Sequence, residues 1–168
     1  MSVLEVGGGI GDIQVALLEN GGARFATNVE LSPNWEAAAQ DLLNERGLTN
    51  RVTRRLGDFV DEARDLPMAD AVILHRVVCC YPDWETLLTA AASRASRFVA
   101  LTFPRPVLWF RAVAAVENQL HRHRRRQFRA YIHPPEAMIG LLASLGYQLA
   151  SDQSGLLWRT IVAERHPR

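Results

Sequence analysis

The stretch LEVGGGIGD, Leu4 to Asp12, constrains this chain more than any other. Gly7, Gly8, Gly9 and Gly11 follow directly on a short apolar run. Glycine loses more backbone freedom on folding than any other residue, so a dense cluster marks a tight turn or a close approach to something else. The residues before it, 3–6, read as a strand. Those after it carry Ile13, Val15, Ala16, Leu17 and Leu18 and read as a helix over 11–20. Strand, glycine turn and helix form the entry to a nucleotide-binding α/β unit.

The same alternation continues along the chain. Strands are expected at 24–30, 51–56, 70–75 and 97–103. Between them, Ser32 as N-cap and Pro33 at the first helical position introduce a helix over 34–46, and a further helix spans 84–94. Helices at 107–124 and 136–145 follow, and strands at 147–151 and about 156–164 can form a hairpin. The fold class is therefore α/β. It is a doubly wound, mostly parallel seven-stranded sheet with an antiparallel C-terminal hairpin and helices on both faces. Residues 1–168 are expected to form one domain. Ligands of such sheets bind at the carboxyl ends of the strands, near the switch point. Glu5, Glu30, Asp58 and His75 all fall at or near such ends.

Bulk properties narrow the partners. The net charge is +1, so no overall charge argues for nucleic acid or membrane. Apolar runs fall short of the roughly 20 residues of a membrane span, and no basic region followed by an apolar stretch opens the chain. Cys79 and Cys80, the only cysteines, are sequence neighbours, which disfavours a structural disulfide or a metal site. A soluble, cytoplasmic protein is expected.

The glycine spacing excludes two nucleotides. A G-x-G-x-x-G fingerprint counted from Gly7 puts Asp12 in its last glycine slot, and no G-K-[ST] follows for a Walker loop. The pattern that fits is acidic-x-G-x-G-x-G, namely Glu5, Gly7, Gly9 and Gly11. With NVELS, LGDF and DAVILHRVVCCYPD further on, the chain resembles the class I S-adenosylmethionine-dependent methyltransferases over most of its length. That resemblance implies S-adenosyl-L-methionine as cofactor and S-adenosyl-L-homocysteine as product. It implies a glycine turn beneath the methionine part with Glu5 nearby. Glu30 would take the ribose hydroxyls with Leu31 beside it, Asp58 the adenine amino group with Phe59 as ring contact, and His75 would line the cofactor. One carboxylate can accept both hydrogen bonds of a vicinal diol.

The acceptor is expected to be a small molecule methylated on O, N or C. Arg76, Tyr81, Trp109, Arg111 and Tyr131 are the substrate candidates, and His75 or His133 the candidates to assist deprotonation. LTFPRP, Leu101 to Pro106, resembles porphyrin carboxyl methyltransferases more distantly. The Pro-Cys dipeptide of RNA cytosine-5 enzymes is absent, as are NPPY and DPPF. The basic stretch 121–129 is read as a helix end complementing the helix dipole; nucleic acid is not the expected partner, although an RNA methyltransferase stays open as an alternative. The family commonly carries helices before its first strand. Their absence here is expected to leave an open cleft. That keeps alive a non-catalytic cofactor binder, or one completed by a missing N-terminal cover, a partner or a homo-oligomer.

Overall fold

The computed structural model of the chain describes residues 1–105, 119 and 129–165. Its strands are β1 (Ser2–Val6), β2 (Phe25–Glu30), β3 (Val52–Leu56), β4 (Ala69–His75), β5 (Ala95–Pro104), β6 (Gln148–Ser154) and β7 (Trp158–Glu164). The helices described are α1 (Asp12–Glu19), α2 (Glu36–Glu45), α3 (Phe59–Glu62), α4 (Trp84–Arg94) and α5 (Pro135–Ser144). The helix expected over 107–124 lies outside the described residues, Gln119 aside.

The seven strands form one sheet in the order β3-β2-β1-β4-β5-β7-β6. β1 pairs in parallel with β2 and β4, β2 with β3, and β4 with β5. β7 runs antiparallel to both β5 and β6. The expected architecture is present. β7 takes the inner place because Ile161 and Ala163 are buried, whereas β6 is polar and exposed along most of its length. A polar, exposed edge strand is protected against pairing with other chains.

Side chains alternate across the sheet and split the core in two. Leu4, Val6, Val72 and Leu74 face one way and pack with Leu87, Leu88 and Ala91 of α4 and Met138 and Leu142 of α5. Val3 and Ala71 face the other way, against Val15 and Leu18 of α1 and Leu43 of α2. Helices therefore cover both faces, as a mostly parallel sheet requires. Asp83 caps α4, its Oδ1 accepting from the Thr86 amide at 3.1 Å. Ser32 Oγ accepts from Asn34 N at 3.4 Å, but a 3₁₀ turn over Pro33–Trp35 precedes α2, so the helix starts later than expected. The order β2-β1-β4 places the switch point between β1 and β4, and a cleft opens above their carboxyl ends.

Candidate functional site

The cleft has a volume of about 820 Å³, within the range of small-molecule and cofactor sites. Its floor is the glycine turn. Gly7, Gly9 and Gly11 adopt φ of 60°, 57° and 94°, left-handed values that a side chain rarely tolerates. The spacing glycine-x-glycine-x-glycine thus has a backbone cause. Gly11 ends the turn as the N-cap of α1. Gly8 is constrained differently: a Cβ there would collide with the side chains of Asn28 and Glu5. A Cβ on Gly9 meets nothing closer than the Trp35 ring at 4.0 Å.

Glu30, buried at the end of β2, ties this floor to the next strand. One carboxylate oxygen accepts from the Gly9 amide and the other from the Ser32 amide, both at 2.8 Å. Each oxygen keeps a second lone pair. Leu31 and Trp35 stand exposed on the rim beside it. At the end of β3, Asp58 caps α3 by accepting from the Val60 amide at 2.9 Å. The Tyr81 hydroxyl donates to the same carboxylate, 3.2 Å from either oxygen. Burial and that neighbouring carboxylate push the Tyr81 hydroxyl up to about 12. Phe59 lines the cleft with its ring otherwise sunk in the core.

A buried polar layer lies under the turn. Glu5 is 2% exposed, and burial raises its carboxyl from 4.5 to about 7, against the lowering influence of a Gln14 backbone hydrogen bond, Arg54 and Asn28. Arg54 of β3 donates to the Gly9 carbonyl at 3.0 Å and to Glu36 of α2 at 2.7 Å. Glu5 Oε2, both side-chain ends of Gln14 and Asn28, and Arg54 Nη1 lack protein partners there.

On the other wall, His75 ends β4 and is half-buried; burial first and the Arg76 charge second lower its pKa below the ordinary value. Arg76 holds a left-handed backbone at φ 60°, its amide bonded to the Thr102 carbonyl at 2.9 Å. Its guanidinium lies 4.5 Å from the centre of the Trp158 ring. Val77, Cys80 and Tyr81 continue this wall. His133 is elsewhere. Its Nε2 is 2.9 Å from the Tyr81 carbonyl oxygen, and its ring stacks on Tyr131 with centroids 5.7 Å apart. Neither Tyr131 nor His133 lines the cleft. Trp109 and Arg111 lie outside the described residues.

The structure therefore brings Glu5, Gly7, Gly9, Glu30, Leu31, Asp58, Phe59, His75, Arg76 and Tyr81 to one cleft. Sequence reasoning missed Arg54 and Gln14, which carry no motif, Asn28, which stands in NVELS without a role of its own, and Trp35, which reads as an ordinary helix residue. Gly8 was in view but had no role in the spacing.

Comparison with known proteins agrees with this geometry. Residues 4–95, more than half of the chain, match the family described as "Methyltransferase domain". The chain belongs to that family. The methyltransferase thereby has S-adenosylmethionine as its cofactor. Its fold is similar to that of magnesium protoporphyrin IX methyltransferase from Synechocystis PCC 6803, solved with bound S-adenosylhomocysteine. That match has 21% identity and a TM-score of 0.77, and covers 98% of this chain and 74% of the other. An O-methyltransferase family protein from Burkholderia thailandensis matches with 19% identity and a TM-score of 0.76, covering 98% of this chain and 50% of that one. Mitomycin 7-O-methyltransferase matches with 21% identity and a TM-score of 0.74, covering 98% and 49%. The methyltransferase thus spans about half the length of two of these three neighbours. No curated protein matches it by sequence. No described helix is long and apolar enough to cross a membrane.

Proposed function

We propose that this methyltransferase transfers the methyl group of S-adenosylmethionine to a small-molecule acceptor, with the cleft above β1 and β4 as its site. The observation that carries the assignment is Glu30. A buried carboxylate binds the glycine turn with one oxygen and the β2 end with the other, and it still offers a lone pair on each to a diol. The open space above Gly9, which a Cβ would enter, fits the same occupant.

When bound, the cofactor supplies an electrophilic methyl group on its sulfonium. The chain's part is alignment and exclusion of water. Glu30 would hold the ribose hydroxyls, Leu31 and Phe59 would flank the base, and Asp58 would accept from the adenine amino group in place of the Tyr81 hydroxyl that it binds in this structure. Burial and the Arg76 charge both favour the neutral form of His75, the form that can accept the acceptor's proton. Arg76, beside His75 on the same wall, faces the acceptor. His133 holds the Tyr81 segment in place through its carbonyl. The structural neighbours, among them a magnesium protoporphyrin IX methyltransferase and a mitomycin 7-O-methyltransferase, support a small molecule rather than RNA as acceptor.

Titrating S-adenosylhomocysteine calorimetrically into the protein and its Glu30→Ala variant tests this reading. The variant should bind about 1–3 kcal/mol more weakly, the worth of hydrogen bonds to a charged group. Equal affinity in both refutes the ribose assignment.

A second reading draws on the rim. Leu31 is 66% and Trp35 48% exposed beside the cleft, and exposed apolar groups at a site mark surfaces that something covers. On that reading a further segment or subunit closes the site, and turnover needs it.

A further inference from the structure

Cys79 and Cys80 have no part in the reading above. Consecutive side chains on an extended strand point to opposite faces. Here the 3₁₀ turn Val78–Cys80 folds both thiols to one side. Their sulfurs are 3.8 Å apart, and both approach the Arg76 carbonyl oxygen, Cys79 at 3.3 Å and Cys80 at 3.7 Å. Cys79 is buried; Cys80 is exposed and lines the cleft. The pair thus joins an accessible sulfur to a sheltered one.

We propose that Cys79 and Cys80 form a peroxide-oxidisable dithiol that closes to a disulfide in the wall of the cleft. Hydrogen peroxide supplies the oxidising equivalents. The Cys80 thiolate attacks a peroxide oxygen, the O–O bond breaks, and the leaving oxygen departs as water after taking a proton. The sulfenic acid so formed is attacked by the Cys79 sulfur, the S–O bond breaks and a second water leaves. Two thiols lose two hydrogens and two electrons, and the peroxide becomes two waters. The electrostatics agree in direction: the sulfur–sulfur contact lowers the Cys80 pKa, while that contact and burial raise the Cys79 pKa, so Cys80 is the first to ionise and react.

Geometry makes the bond reversible. Adjacent Cα atoms lie about 3.8 Å apart, closer than disulfides favour, and such strain makes the bond easily reduced. Closing it also moves a wall of the cleft. The Cys80 amide bonds to the Val77 carbonyl at 2.8 Å, and the Cys79 carbonyl accepts from the Tyr131 amide at 2.7 Å. Val77 sits against Gly7, where a Cβ would approach its side chain to 2.8 Å, and Tyr81 holds Asp58. A shift of this turn is therefore felt at the glycine turn and at Asp58 together. That consequence for cofactor binding rests on the proposed function; the disulfide itself does not.

The test treats the full chain with hydrogen peroxide. Peptide mapping of unreduced protein should show an internal Cys79–Cys80 link, removed by dithiothreitol. Intermolecular dimers, or oxidation of Cys80 to sulfinic acid with Cys79 left free, overturn the proposal. In a second arm, S-adenosylhomocysteine should bind the oxidised protein about tenfold more weakly, with affinity restored by reduction, while Cys80→Ser protein keeps its own affinity through peroxide treatment. A Cys79–Cys80 link with unchanged affinity overturns the coupling to the cleft. A reduced protein that never binds S-adenosylhomocysteine refutes the cofactor site instead and leaves the mapped disulfide standing.

Discussion

Replacing Glu5 by Gln should stabilise the protein above neutral pH. Glu5 is 2% exposed. The groups facing it are Asp12 and Gln14 of α1, Asn28 of β2 and Arg54 of β3. Burial dominates, and its carboxyl rises from 4.5 to about 7. The sign follows from linkage. Between those values the folded protein keeps a proton that the unfolded chain has lost, so stability falls as pH rises through the window. At about 1.4 kcal/mol per unit, the full cost above pH 7 is roughly 3 kcal/mol. Gln keeps the shape without the charge, so this cost disappears. Urea unfolding of both proteins at pH 5 and pH 8 measures it. The stability gap in favour of Glu5→Gln should widen by roughly 2–3 kcal/mol between the two pH values. His75, with its pKa lowered, imposes the opposite trend below its unfolded pKa, but equally on both proteins, so the difference isolates Glu5. A gap that stays constant with pH, or a wild type that gains on the variant as pH rises, refutes the reasoning.

Two further substitutions separate the floor of the cleft from its periphery. Gly8→Ala drives a Cβ into Asn28 and Glu5 and should cost about 1–3 kcal/mol of stability, the usual price of overpacking, read from the thermal midpoint. His133→Ala removes the contact with the Tyr81 carbonyl and the stack on Tyr131; it should lower stability by about 1–2 kcal/mol while S-adenosylhomocysteine affinity changes little, and a large loss of affinity by calorimetry would place His133 in the site after all.

The elements with a strong local signal were legible in the sequence. The helix over Trp84–Arg94 starts at the Asp83 cap and presents Leu87, Leu88, Ala91 and Ala92 to the core, so its bounds could be read directly. The glycine turn was legible because a positive φ leaves glycine as its mark. The nesting of the hairpin was not, since it depends on which of two strands better tolerates an edge. The polar layer of Glu5, Gln14, Asn28 and Arg54 was hidden for a similar reason: four elements contribute one residue each, and only the register of β1, β2 and β3 brings them together. His133 stands near the loop that follows β4 yet turns its ring to a backbone carbonyl, and sequence spacing carries no information on that direction.

The most direct test of the cofactor cleft is a crystal structure of the protein grown with S-adenosylhomocysteine. The account expects the ribose hydroxyls on the Glu30 carboxylate, the base between Leu31 and Phe59, and the adenine amino group at Asp58 with the Tyr81 hydroxyl displaced. Adenosine bound away from Glu30, or a cleft that stays empty at saturating ligand with Tyr81 still on Asp58, would contradict it.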